Sequence, residues 1–441
     1  MTNAMNDATT LKDALALYGG AKAKPTPNHP MFPGGLEVGD EERQLVLEVL
    51  ASRHLFRYYG PAMGIAAHVS KVEQFETEFR EKIGVNHALA VNSCTSGLIT
   101  CLIACGVGPG CEVIVPAYTF FATCSAVVAV GAVPRICDVD DTLTMDPTAL
   151  EKLITPRTRA IIPVHMRGAP CDMDPILAIA RTHGLKVIED VAQACGGAYK
   201  GRRLGAIGDC AAFSLQYHKI ITSGEGGVVT TNDPDLYERA LWVHDAAACW
   251  RPNRFASAAQ PNQIFCGYNF RMAELTGAVA LAQVRKLEGL LARMREHKAR
   301  ILGQIRDLPG LEFRRLTDPA GDTAIALFFY LADPRLARRF GEAIKAEGLP
   351  GGSAFDQDIP DWHIYYHWDQ IMQKASPFAD GFPYTYHEKL TGVPLQYSKT
   401  SCPQCNDLLS RAITIDIAPR LTSEDCNLIA RGIRKVAAAL L

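Results

Sequence analysis

The chain has 441 residues, enough for one large domain and a smaller one, each with its own core. Hydrophobic residues make up 48% and charged residues 21%, and the formal net charge is -2 with the basic residues scattered, which excludes function built on a nucleic-acid or anionic-membrane surface. The 14 cysteines, several in apolar runs such as 98–105, a polar N-terminus without a signal-peptide core, and the lack of any apolar run of bilayer length predict a reduced, cytoplasmic protein.

Residues 1–35 read as an arm, extended in its second half by Pro25, Pro27, Pro30, Pro33, Gly34 and Gly35. Helical spacing begins at Asp40 and again over Val72 to Ile83, where Phe75, Phe79 and Ile83 share a face. Strands and helices then alternate. Strands are predicted at 88–91, 112–116, 135–139, 160–164, 186–189, 211–215 and 227–231, and helices at 96–105, 120–130, 148–154 and 174–183. This alternation predicts an α/β fold, a mostly parallel sheet flanked by helices, over a large domain of residues 36–290. A long helix from Arg271 to about Leu308 leads to a smaller α+β C-terminal domain, residues 291–441. In a doubly wound sheet, ligands gather beyond the strand C-termini.

Four stretches fall at such ends. Val91-Asn92-Ser93-Cys94-Thr95-Ser96 passes from strand to helix over hydroxyl groups, which suits either a phosphate cradle or plain N-capping by Ser93 or Thr95. Tyr118-Thr119-Phe120-Phe121 places aromatic rings where they can stack on a planar ligand or fill the core. Glu189-Asp190-Val191-Ala192-Gln193 ends a strand in two acids; a carboxylate there can hold a protonated ring nitrogen or cap a helix. Phe213 to Gly227, FSLQYHKIITSGEGG, sets Lys219 between a strand and a glycine turn. A desolvated lysine loses its proton and can form a Schiff base with a carbonyl, although most lysines simply lie on the surface. Cradle, stacker, acid and lysine, in that order, describe a pocket for pyridoxal 5′-phosphate.

These motifs resemble the DegT/DnrJ/EryC1/StrS sugar aminotransferases, fold-type I pyridoxal phosphate enzymes. The matching elements are the Leu15 to Gly20 arm, Asn92-Ser93-Cys94-Thr95, Glu189-Asp190-Val191-Ala192-Gln193, Phe213-Ser214 through Lys219 to Gly227, and Gly267-Tyr268-Asn269-Phe270-Arg271-Met272. The resemblance implies that Lys219 carries the cofactor and shuttles protons, that Asp190 pairs with the pyridine nitrogen, and that Phe120 stacks on the ring. It further implies that Gln193 lies near the ring hydroxyl, that Cys94, Thr95 and Ser214 bind phosphate, and that Asn269 reaches the phosphate of a neighbouring subunit in a homodimer. Cys94 departs from the glycine usual at its position. Some relatives replace the lysine by histidine and become dehydratases; here His218 only precedes Lys219, which favours aminotransfer. His218 and Tyr217 are the candidate acceptor contacts.

The implied substrates are L-glutamate or L-glutamine as donor and a keto-sugar as acceptor. Val164 to Gly168, Pro319 to Asp322 and Trp362 to Trp368 resemble enzymes that make 8-amino-3,8-dideoxy-manno-octulosonate. Gln216 and the Leu15 to Gly20 arm resemble keto-cyclitol (scyllo-inosose) aminotransferases, and a nucleotide-linked keto-sugar is a third class. His363 and His367 read as part of an aromatic wall rather than a metal site, and Cys402-Pro403-Gln404-Cys405 is a lone pair without zinc spacing. Regulators that join such a fold to a DNA-binding head carry a basic helix-turn-helix segment, which has no counterpart in this sequence.

Overall fold

Short apolar runs form the spine of the molecule. The computed structural model describes residues 14–59, 68–247, 264–355 and 359–441, so the polar start of the arm, 1–13, lies outside the described residues. Among the described residues the first nine strands are β1 (His87–Val91), β2 (Glu112–Pro116), β3 (Val133–Cys137), β4 (Thr158–Ile161), β5 (Lys186–Asp190), β6 (Ala198–Tyr199), β7 (Arg202–Arg203), β8 (Cys210–Ser214) and β9 (Gly227–Thr231). Seven make one sheet in the order β1-β9-β8-β5-β4-β2-β3, while β6 and β7 pair as a separate hairpin. Within the large sheet β9 runs against its neighbours β1 and β8, and the remaining pairs are parallel. Helices cover both faces, so β2, β8 and β9 are buried along their whole lengths, with no alternation of buried and exposed positions. Phe213 of β8 meets Phe79 edge to face at 4.9 Å; truncating a core ring of this kind costs about 3–5 kcal/mol.

Strand positions match the sequence reading to within about two residues, and the larger differences have local causes. The helix expected from Ser96 spans Cys94–Ala104, because Ser93 Oγ accepts the Ser96 N–H and caps it two residues earlier. The helix expected from Phe120 spans Ala122–Ala129, because the N–H groups of Thr119 and Phe121 donate to the carbonyls of His363 and Trp362 instead. The strand expected to reach Val164 ends at Ile161, and Val164 keeps only a single bridge to Asp190.

A second sheet holds β10 (Glu312–Phe313), β11 (Ala326–Tyr330), β12 (Gly351–Ser353) and β13 (Ala412–Asp416), antiparallel in the order β10-β11-β13-β12. Helix Glu274–Ile305 packs on helices Asp40–Ser52 and Lys71–Ile83 of the large layer and on the C-terminal helix Ser423–Leu440. The arm bridges the two sheets. Near its start the Glu347 carboxylate accepts the N–H groups of Ala16 and Ala23, each at 2.8 Å. Further on, Gly34 N–H donates to the Lys219 carbonyl at 3.1 Å. A Cβ on Gly34 would meet Gln283, Thr222 and Ile221 at 2.7–2.9 Å, so glycine is what lets the arm press on the lysine loop. No helix among the described residues is long and apolar enough to cross a membrane.

Candidate active site

The carboxyl ends of β1, β5 and β8 and the loop after β2 open on one cavity of about 450 Å³. β9 runs the other way, so its first residue, Gly227, also lies at this end, paired with Val91 and Ser214. A Cβ on Gly227 would fall 2.6–2.7 Å from backbone atoms of Ser93 and Cys94. Only glycine allows β9 to approach the turn this closely.

Asp190, the last residue of β5, is 4% exposed and lines the cavity. Its Oδ2 accepts the Thr123 hydroxyl at 2.9 Å and its Oδ1 the Ala192 N–H at 3.1 Å. Thr123 is itself bonded to Thr119, one helical turn earlier, at 2.7 Å. Burial raises the carboxyl above its ordinary value, outweighing these hydrogen bonds and the attraction of Lys219. The preceding acid has a different environment. Glu189 is fully buried and accepts the N–H groups of Gly205, Ile207 and Gly208 at 2.7–2.9 Å. His165 lies 3.1 Å from it; because His165 Nδ1 accepts the Cys171 N–H, Nε2 carries the proton and donates to Glu189.

Lys219 lies on the loop that leaves β8, and its side chain also lines the cavity. The loop folds back on itself: Lys219 N–H donates to Gln216 O, Leu215 N–H to Gly226 O and Thr222 Oγ1 to Leu215 O. Among the described residues Lys219 Nζ makes no ion pair or hydrogen bond. Burial lowers its pKa from the ordinary lysine value, with a smaller contribution from the Arg167 guanidinium and against the pull of Asp190.

Ser93, Cys94 and Thr95 form the entry to helix Cys94–Ala104 and line the cavity, as does Ser214 from the end of β8. The first turn of that helix presents free N–H groups, which suit an anion. Burial pushes the Cys94 thiol well above its usual pKa, so this residue brings no negative charge into the turn. Phe120 is 46% exposed, lines the cavity and meets the His363 ring at 5.2 Å. Gln193 lines it as well and accepts the Arg167 N–H at 3.2 Å. His218 stands at the rim, its N–H donating to Gln216 Oε1 at 2.9 Å.

Tyr217, an expected acceptor contact, does not line this cavity, and Asn269 was expected to serve the site of a neighbouring subunit. Tyr217 stacks on Phe32 of the arm at 4.8 Å. Asn269 is exposed, bridged to Asp245 beside β1.

The family model for DegT/DnrJ/EryC1/StrS aminotransferases matches residues 62–382. The chain belongs to this family. The protein is 41% identical over 388 residues to the spore coat polysaccharide biosynthesis protein SpsC of Bacillus subtilis (strain 168), covering 84% of this chain and 93% of that protein. It is 46% identical over 226 residues to GDP-perosamine synthase of Caulobacter vibrioides, which is 50% of this chain and 58% of that one. The structure of S. venezuelae DesV in complex with a ketimine intermediate superposes with a TM-score of 0.72 at 28% identity, covering 93% of this chain and 99% of DesV. The fold is that of fold-type I aminotransferases, and the protein is a pyridoxal phosphate-dependent sugar aminotransferase.

The residues of the cavity fit pyridoxal 5′-phosphate. A buried carboxylate without an ion-pair partner among the described residues suits a protonated ring nitrogen. An unpaired lysine suits the aldehyde, and a helix entry with neutral hydroxyl and thiol groups suits the phosphate. Sequence reasoning missed Thr123, Glu225 and the separation of the two acids. Thr123 and Thr119 are spaced by one helical turn, a signal present in the sequence, but only the fold aims Thr123 at Asp190, with Thr119 behind it. Glu225 borders the cavity from the glycine turn. His363 and His367 diverge, His363 toward the cavity and His367 against Phe355, and among the described residues no cluster of ligands suits a metal ion.

Proposed function

We propose that this aminotransferase moves an amino group from L-glutamate or L-glutamine to the carbonyl of a keto-sugar, with an 8-keto-3-deoxy-octulosonate type acceptor as the first candidate. The observation that carries the reading is the meeting of Lys219, Asp190 and the Ser93–Thr95 turn on one cavity. Pyridoxal 5′-phosphate, when bound, supplies a carbonyl that takes up the amine and a protonated ring that draws electrons from the reacting C–H bond.

The chain's own residues do the rest. Lys219 Nζ is the group that would hold the cofactor and the base placed to accept and give back the proton of the substrate carbon. Its lowered pKa supports a neutral amine for both tasks. Asp190 keeps the ring nitrogen protonated, and Thr123 and the Ala192 N–H orient its two oxygens. Cys94, Thr95, Ser214 and the first N–H groups of helix Cys94–Ala104 hold the phosphate. Phe120 would stack on the ring, and Gln193 would stand near the ring hydroxyl. Asn269, exposed and away from its own cavity, serves the phosphate of a second copy, so the working unit is a homodimer with composite sites. His218 at the rim touches the acceptor; Tyr217 braces the rim through Phe32.

A nucleotide-linked keto-sugar is the second reading, favoured by the likeness to GDP-perosamine synthase. The test is a panel: 8-keto-3-deoxy-octulosonate, a nucleotide-linked keto-sugar and scyllo-inosose, each with L-glutamate and with L-glutamine. The expected result is an aminated sugar acid by mass spectrometry. Amination of the nucleotide sugar alone would replace the first reading by the second, and no amination of any member would contradict both.

A further inference from the structure

His363 lines the cavity from the C-terminal part of the chain, and its ring is fixed from several sides. The backbone around it is pinned to the loop after β2. Thr119 N–H donates to His363 O and Phe121 N–H to Trp362 O, each at 2.9 Å, and Tyr365 N–H donates to Ala117 O at 2.9 Å. Asp361 holds the side chain: its Oδ1 accepts from the His363 backbone N–H at 2.9 Å and from Nδ1 at 2.8 Å. Burial works to raise the Asp361 carboxyl, but the hydrogen bonds and charge of His363 outweigh it and hold the group below its ordinary value. Asp361 is therefore a carboxylate, which only accepts, so Nδ1 carries the proton. The Phe120 ring, 5.2 Å away, flanks the imidazole.

This arrangement leaves the ring's other nitrogen, Nε2, as a hydrogen-bond acceptor. It makes no hydrogen bond or ion pair among the described residues. The other imidazole of the cavity, His218, bonds through Nδ1 to Gln216 of its own loop. An imidazole that only packs on Phe120 needs no carboxylate behind it. One whose far nitrogen meets a ligand does, because the carboxylate sets which nitrogen is bare.

We propose that His363, positioned by Asp361, determines specificity for the acceptor: its Nε2 accepts a hydrogen bond from a hydroxyl group of the keto-sugar. The inference rests on the keto-sugar reading and says how the site tells a hydroxylated sugar from a deoxygenated one. His363 touches the substrate, and Asp361 acts through it as a positioning residue.

The experiment uses the enzyme loaded with pyridoxamine 5′-phosphate, so that no donor is needed. The probes are 8-keto-3-deoxy-octulosonate and a nucleotide-linked keto-sugar, each with analogues that lack one hydroxyl group. His363→Phe keeps a ring against Phe120 and removes the accepting nitrogen, while His363→Gln keeps an amide oxygen near its place. Asp361→Ala releases the imidazole, and Asp361→Asn keeps an oxygen for the same two N–H groups. The cofactor spectrum and thermal melting report folding. For the sugar that the parent aminates, we expect one analogue to need about tenfold more than the full sugar to half-saturate the parent. H363F is expected to need about tenfold more of the full sugar yet to stay within about twofold of the parent for that analogue, with H363Q intermediate. D361A should follow H363F, and D361N should recover most of the loss. A second readout needs no turnover. Labelling of the partly exposed His363 ring by diethyl pyrocarbonate, read by peptide mass spectrometry, should slow several-fold when the sugar is bound. Equal weakening of the sugar and of every analogue in H363F marks a packing role and would overturn the proposal. So would unslowed labelling under a sugar that the parent aminates. A parent that aminates neither sugar would contradict the keto-sugar reading, and the proposal would fall with it.

Discussion

Glu189 and Asp190 are consecutive carboxylates that face opposite sides of β5. Asp190 lines the cavity, while Glu189 is enclosed by the N–H groups of Gly205, Ile207 and Gly208 and by His165. Strand geometry alternates side chains between faces, so the two acids have separate duties despite being neighbours. Glu189→Ala leaves three N–H groups and an imidazole unsatisfied in the interior and is expected to cost about 3–5 kcal/mol, measured by chemical denaturation. Asp190→Asn is expected to fold and to lose turnover severely.

The same Asp190→Asn variant makes a prediction about the cofactor-free protein. Burial raises the Asp190 carboxyl above its ordinary value, so the folded state holds this proton more tightly than the unfolded state. Stability from this group is therefore present at acid pH and is lost as pH rises through the window above 3.8. At neutral pH the apo variant should melt higher than the apo parent, yet gain less on adding pyridoxal 5′-phosphate. A lower apo melting temperature would contradict the assignment.

Lys219 shifts the other way. Its pKa is lowered by burial, so the neutral amine persists to lower pH than in a free lysine, whose pKa is about 10.4. Labelling of apo Lys219 by an amine-directed reagent, read by peptide mass spectrometry against pH, should show a midpoint below that value. A midpoint at or above it would place the amine in water.

Gly227→Ala tests the cradle. The added Cβ would meet backbone of Ser93 and Cys94, which has no side-chain freedom to yield. We expect a loss of about 1–3 kcal/mol in stability and weaker cofactor binding, measured by melting and by titration of the apo protein with pyridoxal 5′-phosphate.

Mixed dimers test the composite site. Lys219→Ala and Asn269→Ala subunits, each inactive alone, should recover part of the activity once exchanged, because one of the two sites then contains both native residues. Absence of recovery after exchange is verified by mass would count against sharing.

The sheet, the strand-end positions of Asp190 and Ser214 and the loop position of Lys219 were legible in the sequence, because apolar strands bounded by polar turns carry a local signal. Helix starts were less so: Ser93 and Thr95 are both candidate caps, and only the hydrogen bond that Ser93 Oγ accepts from the Ser96 N–H chooses between them. Long-range contacts left no local trace. The approach of Gly34 to the Lys219 loop joins residues almost two hundred positions apart, and the seating of His363 beside Phe120 depends on a bridge between Tyr118 and Ile364. The opposite facing of Glu189 and Asp190 follows from strand alternation, but which acid faces the cavity is decided by the register of β5 with β8.

The central claim is that Lys219 is the residue that holds the cofactor. Reduction of the purified protein with borohydride, followed by proteolysis and mass spectrometry, fixes the cofactor to its lysine. The account predicts the added mass on the peptide that contains Lys219, and its loss in Lys219→Ala. The added mass on another lysine, or unchanged labelling in that variant, would contradict it.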